Sequence, residues 1–499
     1  MTFNRCLLGT TALWMITAGI GAADVSAQDV WTDWKASFTN YGSVTNTGMQ
    51  RVDGDTLTIE GATIEGITQD GSYTIALPLI TMVENSNGTV TATMGDTSSI
   101  TAVFPTELGR DGQVVINMET KNYVAIASGS PDAFVYDMTA DKMAFSASEM
   151  TMGSITMSFV LDVVMEGVTG KSTAIPGNLR DLTQVFTVTS TTGKIDFEDP
   201  AGTGHVKATF NFDGTTGTTA AQMPTGVNVM DTTAVMGSGY ALEAGLTHSG
   251  FSMQANVEED GEAVLIQTAS SSGTSSISTT DKRVDFSVAS MRPETSITTS
   301  QFPFPIEFTA SAQEIELGMP VAASDAAQEF GLDVALRGFE VNEMLWGMVD
   351  PSGALPRDPA TIAFEIDGKA KLNVDLSNPD FEDLGSDAGQ LNALNLKSLV
   401  VDAVGAKLTG DGAFTFDNTD LTTFDGMPKP TGALNLKLVG INGLMDKLSS
   451  VGLLPPEQAM GARMMMGMFA RPGDGPDTLT SKIEINDAGQ VLANGQRIR

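Results

Sequence analysis

Methionine is the most concentrated chemistry-bearing residue in this chain: Met460, Met464, Met465, Met466 and Met468 crowd a stretch between Pro455-Pro456 and Pro472. Thioethers in such a cluster are able to ligate Cu(I). More generally, these flexible, polarizable side chains fill irregular apolar surface or contact hydrophobic ligands of variable shape. Just upstream, Leu444, Met445 and Leu448 recur at helical spacing and share one face. Leu444, Met445, Leu448, Met464, Met465 and Met468 are therefore the candidate residues for an apolar ligand groove.

The other constellations fail on spacing. The run Gly167-Val168-Thr169-Gly170-Lys171-Ser172 resembles a phosphate loop, but the first glycine of that motif would stand where this chain has Met165. Only His205 and His248 are present, without a second ligand at metal-binding spacing and without the strand-turn-helix serine elbow of a hydrolase. No metal site, cofactor or catalytic residue is assigned. Acidic turns at Glu258-Glu259-Asp260-Gly261-Glu262 and Asp380-Phe381-Glu382-Asp383 lack the ligand spacing of a calcium loop. Carboxylate pairs of glycosidase type need proximity rather than sequence spacing and stay open as an alternative.

Arg5, an apolar run from Cys6 to Gly21 and the small-residue exit Val25-Ser26-Ala27 read as a secretory signal peptide over residues 1–27. Cleavage is expected at or within a few residues of Gln28, which places the mature chain in the periplasm. The one cysteine, Cys6, lies inside that segment, so the mature chain has neither disulfide nor thiolate. A net charge of −34 repels nucleic acid and anionic headgroups and favours solubility, leaving peripheral membrane contact at most.

The elements that must position any site follow from periodicity. Trp31, Trp34, Phe38 and Tyr41 share a helical face, with Asp29 as a cap and Gly42 as a stop. From Gly54 the period becomes two, as in Thr56-Leu57-Thr58-Ile59 and Val206-Lys207-Ala208-Thr209-Phe210, the pattern of half-buried strands. Asn85-Ser86-Asn87-Gly88, Asp213-Gly214 and Asp260-Gly261 read as turns joining antiparallel neighbours. Boundaries are expected near Pro176-Gly177 and after the Ser/Thr-rich stretch from Ser270 to Ser276. That divides the chain into residues 28–177, 178–280 and 281–499. The last part carries a repeat in which Leu336-Arg337-Gly338-Phe339 and Leu438-Val439-Gly440-Ile441 each lead into an amphipathic helix and then Leu-Pro.

In Val30-Trp31-Thr32-Asp33-Trp34, Gly54-Asp55-Thr56-Leu57-Thr58, Gly405 to Phe416, Pro430 to Leu436 and Gly489 to Gly495 the chain resembles an exported alphaproteobacterial family, domain of unknown function 2125. The strand-helix units are more distantly similar to AsmA-type envelope proteins, a resemblance that implies β-rich lipid grooves. The expected architecture is mainly β: antiparallel, extended or curved sheets with an N-terminal amphipathic helix and short C-terminal covering helices. The expected role is non-enzymatic, the binding or scaffolding of an apolar envelope molecule such as lipid. Alternatives are a carboxylate-based hydrolase of envelope glycans and a purely structural envelope protein.

Overall fold

The computed structural model describes residues 24–499 apart from 41, 69–70, 106–110, 200–203, 230–231, 236 and 379–383. Most of the expected signal segment, Tyr41 and the acidic stretch at Asp380 to Asp383 thus lie outside the described residues. Within them the chain is mainly β: 28 strands form one continuous sheet in which every pairing is antiparallel. β-Branched and aromatic residues alternating with polar ones fit a pleated surface with unlike faces, and short turns leave only antiparallel pairing open to neighbours.

Helix α1 (Ala27–Phe38) is capped by Ser26, whose hydroxyl accepts from the Asp29 N–H while the Asp29 carboxylate accepts from the Ser26 N–H. Asp29 is therefore the third-position partner of the cap rather than the cap itself, and the helix stops at Thr39, before Gly42. Its inner face carries Val30 and Trp31, both wholly buried, onto Leu57, Ile59, Ile80, Met82, Val90 and Phe134. This buried cluster draws only on residues 25–174. Below it, Arg180 makes a two-pronged ion pair with Asp33, at 2.5 and 2.8 Å, and the Tyr136 hydroxyl donates to Asp33 at 2.6 Å. All three side chains are buried, and together they tie α1 to the strands Ala133–Met152 and Leu179–Glu198.

The expected boundaries fall at hairpin turns of this unbroken sheet. Strand Ile155–Ile175 pairs with Leu179–Glu198 across Pro176-Gly177. The Ser/Thr-rich stretch belongs to the strands Glu262–Ser270 and Ser272–Thr280. Asp213-Gly214 is no turn either, since it sits inside the strand Gly204–Pro224. It belongs to a line of irregularity crossing the long strands. Gly167, Gly214 and Gly338 adopt left-handed conformations there, at φ 61°, 52° and 61°. A Cβ at these three positions would lie 2.3, 2.4 and 2.7 Å from the hydroxyl oxygens of Thr189, Ser249 and Ser311. Ser249, Ser271 and Ser311 each donate both the backbone N–H and the hydroxyl proton to one carbonyl of the adjacent strand, on Asp213, Met291 and Arg337 respectively. At Gly338 the bulge absorbs one residue, so that Leu336 opposite Ile362 and Phe339 opposite Ala360 stay on one face.

The repeat in the last third takes the expected strand-then-helix form. Strand Gln328–Val341 leads into α3 (Glu343–Val349), after the short α2 (Thr232–Val235) earlier in the chain. Strand Lys429–Val439 leads into α4 (Ile441–Ser450) and then α5 (Pro456–Phe469). Both strands run the same way, with three antiparallel strands between them, so these helices emerge along one margin of the sheet. They do not cover it: α3 buries no residue, α4 buries Met445 and α5 buries Ala459. A helix appended at a strand end meets the sheet margin, and α4 contacts the strand Ala406–Asp417 there.

Candidate functional site

Residues directly opposite in an antiparallel pair share a face, so the register traces each face across the sheet. One row starts at Met138, which packs against the core under α1. It continues through Gly170, Phe186, Gly217 and Leu246. It then passes Ser275, Val288, Ile315, Val334, Phe364 and Leu399 to Gly410 and Leu436. The parallel row reads Ala244, Ile277, Phe286, Leu317, Leu332, Ile366, Leu396, Gly412, Leu434 and Ile483. Neither row contains a charged side chain. At about 4.8 Å per strand the first row runs roughly 60 Å.

Several rings lie flat across glycines of the next strand on this face. A Cβ at Gly217 would meet the Phe186 ring at 2.1 Å, and one at Gly368 the Phe330 ring at 2.5 Å. The glycines let aromatic rings cover backbone where a side chain would hold them away. Beyond the N-terminal cluster several side chains of these rows are exposed. Ile277, Phe286, Ile315 and Leu317 remain 38%, 40%, 36% and 37% exposed.

The opposite face holds the charges. Glu316, Asp333 and Glu365 stand side by side on consecutive strands, beside a cavity of about 410 Å³ that Asp285, Asp367, Arg283 and Lys397 also line. Lys397 binds Asp367 at 2.6 Å and Glu365 at 3.3 Å, while Arg283 binds Asp285 at 2.6 Å. Among the described residues Asp333 has no such ion-pair partner. Burial, with Glu365 and Glu316 adjacent, pushes its carboxyl above the ordinary aspartate range. A larger cavity of about 1060 Å³ also opens on the polar face, over Asp162, Lys194, Gln254, Gln267 and Glu307.

Of the residues singled out from sequence, the structure gathers Leu444, Met445 and Leu448 where α4 meets the sheet margin and α5. It does not bring Met464, Met465 and Met468 to them. Those thioethers are 70%, 61% and 64% exposed, and no described cavity includes them. The apolar face itself went unassigned in the sequence, although its signal was present: in Arg283-Val284-Asp285-Phe286-Ser287-Val288 every second residue is apolar. His205 pairs with Asp196 at 2.7 Å, while the His248 ring packs edge-on against Phe212. Among the described residues no three His, Cys, Asp or Glu side chains converge as a metal ion requires, and no helix is long and apolar enough to cross a membrane.

Residues 242–497, just over half the chain, match the family described as an uncharacterized protein conserved in bacteria, DUF2125. The match begins in the strand Ala241–His248 and so takes in most of the open apolar face while leaving out the α1 core. No curated protein and no solved structure matches.

Proposed function

The chain belongs to DUF2125, a bacterial family without an assigned activity, and from that premise we propose a non-enzymatic periplasmic protein that binds or scaffolds an apolar envelope molecule, such as lipid, on its uncharged sheet face. The observation that carries this reading is the pair of charge-free rows, covered by α1 at one end and open over the rest. Acyl chains suit such a surface because it offers continuous dispersion contact and no unpaired polar group. Backbone hydrogen bonds lie in the plane of the sheet and are offered at its edges, so the face has none to give a peptide strand. Export is supported by the Arg5 start and the apolar run to Gly21.

Native mass spectrometry of protein purified from periplasm tests it directly. The expected result is co-purified lipid, together with saturable uptake of a fluorescent fatty acid. The double variant Phe286→Asp/Leu317→Asp should lose both while its circular dichroism stays that of the parent. A folded protein that carries no lipid and takes up no probe would leave the purely structural reading in its place. The carboxylate row gives the glycan-hydrolase alternative one specific support, since Asp333 stands opposite Glu365 and burial holds the Asp333 carboxyl above the ordinary aspartate range. It requires release of reducing ends from peptidoglycan, abolished by Asp333→Asn.

A further inference from the structure

Two pairs of small residues stand before possible cleavage points: Gly21 and Ala23 before Asp24, and Val25 and Ala27 before Gln28. A leader peptidase accepts small side chains at the two positions concerned, one and three before the cut, so sequence alone leaves both open. The fold separates them. Val25 is 4% exposed and its N–H donates to the Gly88 carbonyl at 3.3 Å. Ser26 supplies the α1 cap. Ala27 is also 4% exposed, and its N–H donates to Glu84 Oε1 at 2.8 Å. Cleavage before Gln28 would remove the cap, two core residues and the partner of Glu84. It would also set a new ammonium in the first helical turn, where the helix dipole is already positive.

We infer that the chain is processed between Ala23 and Asp24, and that residues 24–27 are part of the mature fold. This rests on the export reading above. Water adds across the Ala23–Asp24 amide: the C–N bond breaks, Ala23 leaves as a carboxylate and the Asp24 nitrogen becomes an ammonium. Asp24 is exposed, so the new charge stays hydrated.

The chain Met1 to Arg499 is produced in an exporting bacterial host, and the periplasmic product is analysed by intact and N-terminal peptide mass spectrometry. The expected N-terminus is Asp24. A wild-type product beginning at Gln28 would overturn the inference and leave the export reading standing, whereas intact Met1 held in membranes overturns both. The Ala23→Tyr variant gives a second readout. It should accumulate as membrane-held precursor, or give a Gln28 product with a lowered thermal midpoint. A Gln28 product as heat-stable as wild type would show residues 24–27 to be dispensable and sink the inference.

Discussion

Asp33 is 5% exposed, with Arg180 taking both its oxygens and Tyr136 sharing one of them. Burial, reinforced by the Asp33 charge, drives the Tyr136 hydroxyl pKa upward, so it stays a donor at all physiological pH. Arg180→Ala would strand a buried carboxylate, and urea unfolding should register a loss of about 3–5 kcal/mol. Nothing in the helix Val30-Trp31-Thr32-Asp33-Trp34 disclosed this role, because the partner lies 147 positions away. Asp333, by contrast, has like charges of Glu365 and Glu316 beside it. Its folded pKa is raised, so its contribution to stability is present below the ordinary aspartate pKa and lost as pH rises through the raised value. Lowering pH from neutral towards the ordinary aspartate value of 3.8 should therefore raise the thermal midpoint of the parent relative to that of Asp333→Asn. The variant should also be the more stable of the two at pH 7.5. Identical pH profiles would remove Asp333 from the account.

At the scale of elements, α4 lacks a capping side chain at Gly440, and Asp477 supplies one from another part of the chain. Its carboxylate accepts from the N–H groups of Asn442 and Gly443, at 3.2 and 2.9 Å. Asp477→Ala should cost about 1 kcal/mol, read as earlier hydrogen exchange in α4. The neighbouring helices separate packing methionines from free ones. Met445→Asp puts a carboxylate at a 5% exposed position and should destabilise by several kcal/mol, whereas Met465→Leu should stay within about 0.5 kcal/mol in denaturant titrations. The helical periods were readable in sequence, but spacing says which residues share a face and not whether anything lies against it. The same holds at Gly214. Asp-Gly suggests a turn, yet the strand continues through it, and Gly214→Ala should destabilise by about 1–3 kcal/mol because its φ is 52° and Ser249 fills the space.

On the scale of the whole molecule, burial is uneven: the cluster beneath α1 is the large apolar core, while the sheet beyond it keeps one face open. Unfolding should then be stepwise, since strands in a linear sheet contact chiefly their neighbours. Hydrogen exchange should give the highest protection in Thr56–Thr68, Val90–Met94 and Val124–Ser130. One cooperative transition with uniform protection would contradict this. With Cys6 the only cysteine, the profile should be indifferent to reductant.

The sequence by itself determined the strand content, the antiparallel order, the amphipathic N-terminal helix and the strand-helix repeat, because each is written in local periodicity and turn chemistry. Only the tertiary structure decided that Asp33 meets Arg180, that the supposed boundaries are hairpins and that Met464, Met465 and Met468 face solvent. It alone decided, too, that alternate residues of successive strands line up as uncharged rows. Alternation fixes two unlike faces for every strand, whereas the register between strands, and what covers each face, depends on contacts far apart along the chain.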